Sequence, residues 1–329
     1  MQNPPATVAM VFAGGLGLAA YHAGVYQSFS RRSLPLHWVA GSSAGAVTAA
    51  LIAGNRGDDR IGRLRAFWNF PPVEDYRPMP WRHLNGWLAA VRTRLVGSPG
   101  HFHPRIPSIS PFGFRSLYDL SPMRERLAKL IDFGQLNSGE IRICVAATDI
   151  ETGDPVIFDS REQRIELDHL MASCGFLPEF APVNMDGRLL GDGGLSLNAP
   201  FDPILQSETG GGLLLYVIDL YARDGARPDS FEAASERKND LLFGNQTYLR
   251  LKYCLELGRL RRKQNGGGDE PLEKIVLLSY RPGMEEPGPE KSFELSAAAL
   301  AQRWQAGVLD MEYSEHLHPN EEIVFVRRT

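Results

Sequence analysis

The stretch HWVAGSSAGAVTAALIAG (residues 37–54) joins a hydrophobic run, a turn of small residues and a helical segment made almost entirely of small apolar residues. Its centre, Gly41-Ser42-Ser43-Ala44-Gly45, has the pattern Gly-x-Ser-x-Gly, which is typical of a nucleophile elbow when it lies between a strand and a helix. Such a turn exposes the serine hydroxyl and needs small neighbours, because the two backbones nearly touch. The pattern makes Ser43 a candidate nucleophile. The alternative is an ordinary strand–turn–helix with Gly45 at a tight packing point.

Around this stretch, apolar runs of strand length alternate with helical patterns along the chain. The predicted strands are residues 7–12, 36–40, 142–148, 155–159, 212–220, 274–280 and 322–327. The predicted helices are residues 19–32, 44–54, 59–68, 121–130, 231–262 and 296–316. Several strands are continuously apolar, as expected for strands covered on both faces. The alternation predicts an α/β fold with a largely parallel central sheet and helices on both faces.

Composition limits the classes of protein and partner. The chain has 329 residues, of which 43% are hydrophobic and 22% charged, as in a globular protein with a substantial core. The formal net charge of −4 gives no reason to expect nucleic acid as a partner. The apolar run at residues 8–20 lacks the basic segment of a signal peptide, since the first cation is Arg31. These features predict a cytoplasmic protein and leave its oligomeric state open.

A glycine-rich stretch, VFAGGLGLAAYHAGV (11–25), precedes the elbow. Its Gly15-x-Gly17-x-x-Ala20 matches the fingerprint of dinucleotide-binding proteins. That fingerprint requires an acidic residue about 20 positions further on, whereas the first acidic residue of the chain is Asp58. An NAD site is therefore not supported, and an NADP site using Arg31 or Arg32 remains an alternative.

The same glycines have a second interpretation as an oxyanion hole. Glycines between a strand and a helix leave backbone N–H groups unpaired and directed outward, where the helix N-terminus adds positive potential. Acyl transfer needs such donors to stabilise the oxygen of the tetrahedral intermediate. Because a nucleophile elbow follows on the next predicted strand, we favour this interpretation over a loop that only turns the chain.

A serine nucleophile also needs a base, and an α/β-hydrolase would supply an aspartate and then a histidine after the serine. His316 and His318 lie late enough in the chain, but they are in a polar terminal turn. A histidine triad therefore has weak support from the sequence.

The stretch GRLLGDGGLSLNAP (187–200) offers a better candidate base. Asp192 follows a short apolar run, and Gly193 and Gly194 allow the backbone to approach closely. An aspartate before two glycines is often only part of a turn. The assignment of Asp192 as the base therefore depends on the motifs around it.

Taken together, these stretches resemble the patatin-like phospholipases, a family of serine lipid acyl hydrolases with a Ser–Asp dyad. The matching blocks are the glycine loop with AYHAGV (20–25), Gly-Ser-Ser-Ala-Gly (41–45), MASCGFLPEFAPV (171–183), and Asp192-Gly193-Gly194 with Asn198-Ala199-Pro200. They span roughly residues 7–200. The resemblance implies a patatin-like fold, a lipid or other acyl-ester substrate, an acyl-enzyme intermediate, and no cofactor or metal.

The resemblance also assigns roles to individual residues. It makes Ser43 the nucleophile and Asp192 the base. The implied oxyanion hole consists of the N–H groups around Gly14, Gly15, Leu16 and Gly17. The small residues that support the motifs are Gly41, Gly45, Gly193 and Gly194.

The glycine loop departs from the family pattern Gly-Gly-Gly-x-Arg/Lys-Gly. Ala13 occupies the first glycine position, and Gly17 or Leu18 occupies the position of the cation. Backbone donors do not depend on that side chain, but direct help toward an anionic headgroup would be lost, which favours a neutral ester. A catalytically weak relative that binds lipid or a partner is the alternative.

The resemblance and the element pattern predict a single domain over residues 1–329, with residues 201–329 completing the fold. Residues 69–120 differ in composition and are predicted to be an insertion that forms a cap beside the active site. Apolar residues at helical spacing and nearby cations predict contact with a membrane surface; packing on the core is the alternative. These residues are Trp81, Leu84, Trp87, Leu88, Val91 and Leu95, with Arg77, Arg82, Arg92 and Arg94.

Overall fold

The computed structural model describes residues 7–69, 82–105, 116–207, 212–264, 266, 273–281, 291–316 and 323–326. The strands are β1 (Thr7–Phe12), β2 (Trp38–Ser42), β3 (His103–Pro104), β4 (Tyr118–Asp119), β5 (Arg142–Asp149), β6 (Pro155–Asp159), β7 (Val183–Met185), β8 (Arg188–Asp192), β9 (Leu213–Asp219), β10 (Glu273–Ser279) and β11 (Ile323–Val326). The helices are α1 (Ala20–Phe29), α2 (Ala44–Ala53), α3 (Arg60–Trp68), α4 (Arg82–Val96), α5 (Ser121–Leu130), α6 (Phe133–Leu136), α7 (Leu167–Ser173), α8 (Asp202–Gln206), α9 (Phe231–Gln264) and α10 (Ala297–Tyr313).

A nine-stranded sheet forms the centre of the fold, in the order β11-β10-β9-β1-β2-β5-β8-β7, with β6 also paired to β5. The neighbours from β11 to β5 are parallel, whereas β6, β7 and β8 pair in antiparallel fashion. The predicted α/β fold with a largely parallel sheet is confirmed. The short apolar run at Leu189-Leu190 indicated a strand end before Asp192, and this strand is β8. The strand β7 and the antiparallel pairing of β8 were not predicted.

Helices cover both faces of the sheet, as predicted. On one face, Val8 and Phe12 of β1 belong to a buried core with residues of α1, α2 and α10. On the other face, Val11 of β1 packs in a second core with Ile204 of α8 and Leu251 of α9. The alternation of strand side chains explains why β1 is apolar at every position from Val8 onward.

Helices α1 and α10 approach each other closely through one glycine on each. A methyl group at Gly24 would lie 1.8 Å from the carbonyl oxygen of Trp304, and one at Gly307 would lie 2.2 Å from that of Tyr21. Both distances are far shorter than an ordinary van der Waals contact, so neither helix tolerates a side chain there. The C-terminal helix α10 is therefore packed directly on the helix that follows the glycine loop.

We expect Gly307→Leu to lower the free energy of unfolding by about 3 kcal/mol, because the added side chain must push α1 and α10 apart. Thermal or urea unfolding would measure the loss. Gly62→Ala in α3 is the matched control, since a methyl group there meets nothing within 4 Å. That change should raise stability by up to about 1 kcal/mol through helix propensity. Equal stability of Gly307→Leu and the wild type would contradict the close packing.

Candidate active site

Ser43 lies at the junction between β2, which ends at Ser42, and α2, which begins at Ala44. Its backbone has φ 55° and ψ −125°, a strained conformation for a residue with a side chain. A methyl group at Gly45 would lie 2.0 Å from the carbonyl oxygen of Phe12, which explains the small residue at that position. The predicted sharp strand-to-helix turn is thus present, with Ser43 at its apex.

The register of the sheet brings Asp192 to the level of Ser43. Ser42 at the end of β2 pairs with Ala146 of β5, and Asp192 at the end of β8 pairs with Ala147 of the same strand. The two candidate residues therefore flank β5 at almost the same height. The Ser43 side chain lies close enough to the Asp192 carboxyl group to lower its pKa, and both residues line the same cavity, so the structure brings the predicted pair together.

The Asp192 carboxyl group is fully enclosed, and this burial raises its pKa to about 7. The neighbouring Ser43 hydroxyl and the hydrogen bond from the Gly194 N–H to Oδ1 (2.7 Å) act in the opposite direction. An ordinary aspartate, with a pKa near 3.9, is a poor base toward a hydroxyl group. A pKa close to neutrality matches a general base that works near neutral pH.

Two hydroxyl side chains hold the ends of this pair in place. Ser173 Oγ accepts a hydrogen bond from the Ser43 N–H (2.8 Å) and donates one to the Ala146 carbonyl (2.6 Å). Thr148 Oγ1 donates to the Asp192 carbonyl (2.7 Å). No sequence motif predicts a role for either residue. Ser173 lies inside the matching block 171–183, and only its spatial position distinguishes it from its neighbours.

The glycine loop lies against the same site. The Gly14 N–H is already bonded to Asn198, to its carbonyl oxygen (3.2 Å) and to its side-chain Oδ1 (3.1 Å). The N–H groups of Gly15, Leu16 and Gly17 make no hydrogen bond to any acceptor within the described residues. Leu16 has φ 50°, a strained value that holds the start of the following 3-10 turn.

A cavity of about 290 Å³ contains Ser43, Asp192 and the glycine loop in its wall. Much of the remaining wall is aromatic or aliphatic and includes Val47, Phe67, Trp68, Phe102, Met123 and Phe293. Residues from the C-terminal part of the chain also contribute, among them Asn239 and Phe243 of α9. The cavity can therefore enclose an apolar chain beside a reactive serine.

Charged and titratable groups also lie in the cavity wall. Arg94 of α4 lines the cavity, with its guanidinium carbon 4.2 Å from the centre of the Phe293 ring. The sequence pattern predicts Arg94 among the cations of a surface helix, whereas the structure places Arg94 in the cavity wall. His101 also lines the cavity, and burial lowers its pKa to about 4, so its ring is neutral near pH 7.

The alternative bases and cofactor sites are placed elsewhere. His316 is exposed on the turn that follows α10 and is not part of the cavity wall, and His318 lies outside the described residues. Arg31 and Arg32 follow the C-terminal end of α1, opposite the glycine loop, and pair with Glu312 and Glu315 respectively. In the part of the chain that the structure describes, no three His, Cys, Asp or Glu side chains form a group that could hold a metal ion.

The helix predicted at the surface, α4, has an exposed apolar side. Leu88, Leu95 and Val96 are 50%, 72% and 65% exposed, whereas Ala90 and Thr93 face inward. Trp81 and Arg77 lie outside the described residues, as do the side chains of Arg82, Leu84 and Trp87. No helix within the described residues is both long and apolar enough to cross a membrane.

Comparisons with known proteins identify a family and two similar structures. The sequence model of the family described as "Patatin-like phospholipase" matches residues 10–205, more than half of the chain. A search of curated proteins found no match. Among solved structures, VipD from Legionella pneumophila is 14% identical with a TM-score of 0.40, over 92% of this chain and 67% of VipD.

The type III effector protein ExoU of Pseudomonas aeruginosa is a second structural match. It is 14% identical with a TM-score of 0.36, over 94% of this chain and 54% of the ExoU chain. The chain thus spans about two thirds of VipD and about half of ExoU.

Proposed function

The chain belongs to the patatin-like phospholipase family, and from this premise we propose that it is a serine acyl hydrolase that cleaves ester bonds of lipids. The observation that carries the proposal is the position of Ser43 beside the buried Asp192, in the wall of a largely apolar cavity. N–H groups of the glycine loop that have no acceptor within the described residues lie along the same cavity. A nucleophile, a base, oxyanion donors and room for an acyl chain are the parts that acyl transfer requires.

In the proposed first step, Ser43 Oγ attacks the carbonyl carbon of the ester while Asp192 accepts the hydroxyl proton. The carbonyl oxygen becomes an oxyanion, held by N–H groups of Gly15, Leu16 and Gly17. Gly14 supports this hole without donating to the oxyanion, because its N–H is bonded to Asn198. Collapse of the intermediate breaks the ester C–O bond, and the leaving alcohol or lysolipid takes the proton from Asp192.

The second step releases the acyl group from Ser43. Asp192, again unprotonated, accepts a proton from a water molecule as the water oxygen attacks the acyl-enzyme carbonyl. The same N–H groups stabilise the second oxyanion. Breaking the Ser43 Oγ–C bond gives a free carboxylic acid, and the proton returns to the serine.

The chemistry of the wall favours a substrate with a long apolar acyl chain. Aromatic and aliphatic side chains such as Phe67, Trp68 and Met123 suit such a chain. The cation missing from the glycine loop has a counterpart in Arg94, which lines the cavity from α4. A phosphate near this wall would therefore meet a positive charge, so both neutral esters and phospholipids belong in the assay.

Hydrolysis of p-nitrophenyl esters of increasing acyl length tests the proposal, together with phospholipid vesicles. We expect turnover by the wild type that increases from short to medium or long chains, and none by Ser43→Ala. Ester or lipid binding without turnover in the wild type would instead support the alternative of a catalytically inactive lipid-binding relative.

We also propose that residues 69–120 form a cap whose helix α4 meets the lipid surface. Hydrophobic side chains on the exposed side of a helix, next to cations, suit the boundary between water and lipid. Leu88, Leu95 and Val96 are exposed apolar residues of α4, and Arg92 is an exposed cation on the same helix. This contact would deliver substrate from a membrane to a cavity that α4 itself lines through Arg94.

Sedimentation with lipid vesicles would measure this contact. We expect Leu88→Glu/Leu95→Glu to weaken binding to neutral and anionic vesicles, and Arg92→Glu to weaken binding to anionic vesicles only. Leu242→Glu/Leu249→Glu on α9 is the matched control, since both leucines are also exposed. If the wild type does not sediment with vesicles, or if the α4 variant binds as well as the wild type, α4 is not a membrane contact.

A further inference from the structure

We propose that Asn198 is a further catalytic residue whose side-chain Nδ2 donates a hydrogen bond to the oxyanion formed from the substrate carbonyl. This inference rests on the proposed function, since it concerns the same acyl transfer at Ser43. Asn198 lies six residues after Asp192, beyond the 3-10 turn Gly193–Leu195, and it lines the active-site cavity.

The orientation of the Asn198 carboxamide is fixed by its partner. The Gly14 N–H can only donate, so the side-chain atom 3.1 Å from it must be the acceptor Oδ1. The other atom of the carboxamide is then Nδ2, which carries two N–H bonds. The geometry therefore defines which atom of the amide is the hydrogen-bond donor.

The Nδ2 atom is buried and has no hydrogen-bond partner within the described residues. Asn198 itself is only 2% exposed. A buried donor without an acceptor costs about 1–3 kcal/mol, and native proteins rarely leave one. An acceptor that arrives with the substrate would remove this cost.

Asn198 lies next to both members of the proposed dyad. A methyl group at Gly14 would be 2.7 Å from Asn198 Oδ1 and 3.1 Å from Ser43 Cβ. A methyl group at Gly194 would be 2.9 Å from Asn198 Oδ1 and equally close to Asp192 Oδ1. The carboxamide is therefore at the corner where the glycine loop, the nucleophile and the base meet, and the oxyanion forms in this corner.

The backbone of Asn198 is also anchored from another element. Its N–H donates to Gln246 Oε1 of α9 at 2.6 Å. Gln246 lies beyond residues 10–205, the part of the chain that the family matches. Asn198 is thus held by its side chain at Gly14 and by its backbone at Gln246, which fixes the position of the Nδ2 donor. Fixed donors stabilise a transition state without a cost of reorganisation.

A purely structural role, in which Oδ1 only supports Gly14, makes different predictions. The Asn198 carbonyl oxygen also accepts from the Gly14 N–H (3.2 Å), so Asn198→Ala leaves the loop one of its two acceptors. Asn198→Asp retains both acceptors and removes the Nδ2 donor in nearly the same shape. Asn198→Asp also adds a carboxylate beside Asp192, which would raise the pKa of Asp192 further. If support of Gly14 is the whole role, Asn198→Asp should keep the loop and shift the kcat–pH profile to higher pH without lowering its plateau.

The experiment measures kcat, KM and thermal stability with a p-nitrophenyl ester of the preferred chain length. We expect Asn198→Ala to lower kcat about 100-fold, the typical effect of losing one oxyanion donor, with little change in KM. Asn198→Asp should not restore kcat. Asn184→Ala, the same change at an exposed position of β7, is the control and should behave as the wild type.

A readout specific to the oxyanion distinguishes a hydrogen bond from Asn198 Nδ2 to the oxyanion from a role in which Oδ1 only holds the Gly14 N–H. A long-chain alkyl trifluoromethyl ketone forms an adduct in which Ser43 Oγ bonds to the carbonyl carbon and the oxygen becomes an oxyanion. We expect its affinity to fall in Asn198→Ala by about the same factor as kcat, because both depend on the charged oxygen. The affinity of a non-hydrolysable ether analogue of the ester should be unchanged.

Several results would overturn the role of Asn198: wild-type kcat in Asn198→Ala, full activity in Asn198→Asp, or an effect on KM alone. Should Asn198→Ala fail to fold, Asn198→Asp and the ketone affinity carry the test. Failure of the proposed function gives a different result, namely hydrolysis that persists in Ser43→Ala. Hydrolysis that depends on Ser43 together with wild-type activity in Asn198→Ala would reject only the role of Asn198.

Discussion

Replacing Ser43 by alanine or Asp192 by asparagine is expected to lower kcat by at least about 10³-fold, as for residues that act as one catalytic unit. Ser43→Ala removes the atom that forms the acyl-enzyme. Asp192→Asn keeps the shape and an acceptor for the Gly194 N–H but removes the proton acceptor. The kcat of the double variant should be no lower than that of the less active single variant, because the two residues contribute to one step.

Two neighbouring residues supply matched controls for these changes. Ser42 precedes Ser43 in the same motif, and its buried hydroxyl has no hydrogen-bond partner within the described residues. Asp219, at the end of β9, is a second enclosed aspartate whose pKa burial raises to about 7. Ser42→Ala and Asp219→Asn should therefore retain most activity. Near-wild-type turnover by Asp192→Asn, or equal losses in the controls, would show that the dyad is wrong.

The pH dependence of kcat/KM is the second large expected effect. Asp192 must be unprotonated to accept the serine proton, and its pKa is raised by burial to about 7. We expect kcat/KM to rise about tenfold per pH unit below that value and to level off above it. Activity at pH 5 should thus be about 100-fold below the plateau. A stopped assay that measures the fatty acid released from an alkyl ester would cover this pH range without interference from p-nitrophenol ionisation.

Stability gives an independent check that Asp192 is the titrating group. Because the folded-state pKa is raised above the ordinary value of 3.8, the folded protein binds the proton more tightly than the unfolded chain. Stability therefore falls as pH rises from about 4 to about 7. Asp192→Asn lacks this loss, so its Tm relative to the wild type should increase over the same range.

Two observations would contradict this assignment of the titration. One is a kcat/KM that stays constant between pH 5 and pH 9. The other is a Tm difference between Asp192→Asn and the wild type that does not change with pH. Asp219 also has a raised pKa, but it is present in both proteins and cancels from the difference.

The sequence predicted the parallel centre of the fold because its strands are apolar at nearly every position. The elbow at residues 41–45 was predictable because its close packing restricts the residue types. A methyl group at Gly45 would lie 2.0 Å from the Phe12 carbonyl oxygen, so this position requires glycine. The strand β7, of three residues, has too few positions to show a pattern, and the five residues of β8 showed only a strand end at Leu189-Leu190. Proximity of Asp192 to Ser43 depends on pairing across β5, which local sequence does not encode.

Positions of individual polar side chains were less accessible to sequence reasoning. Asn198 belonged to a recognised block, but its hydrogen bond to Gly14 joins residues 184 positions apart. Helical spacing grouped Leu88 and Leu95 correctly on one side of α4, yet it could not decide between core and solvent. Arg94 on the same helix proved to line the cavity, because the aromatic surface of Phe293 receives its guanidinium group.

Covalent labelling tests the central claim, nucleophilic attack by Ser43, most directly. A long-chain alkyl fluorophosphonate would be incubated with the protein, and the adduct would be located by intact mass and peptide mapping. Attack by Ser43 Oγ on phosphorus releases fluoride, so we predict one adduct per chain, on Ser43, in the wild type and in Ser42→Ala. Ser43→Ala should remain unlabelled, and Asp192→Asn should react much more slowly. An adduct on another residue, or ester hydrolysis by a protein in which Ser43 stays unmodified, would contradict the claim.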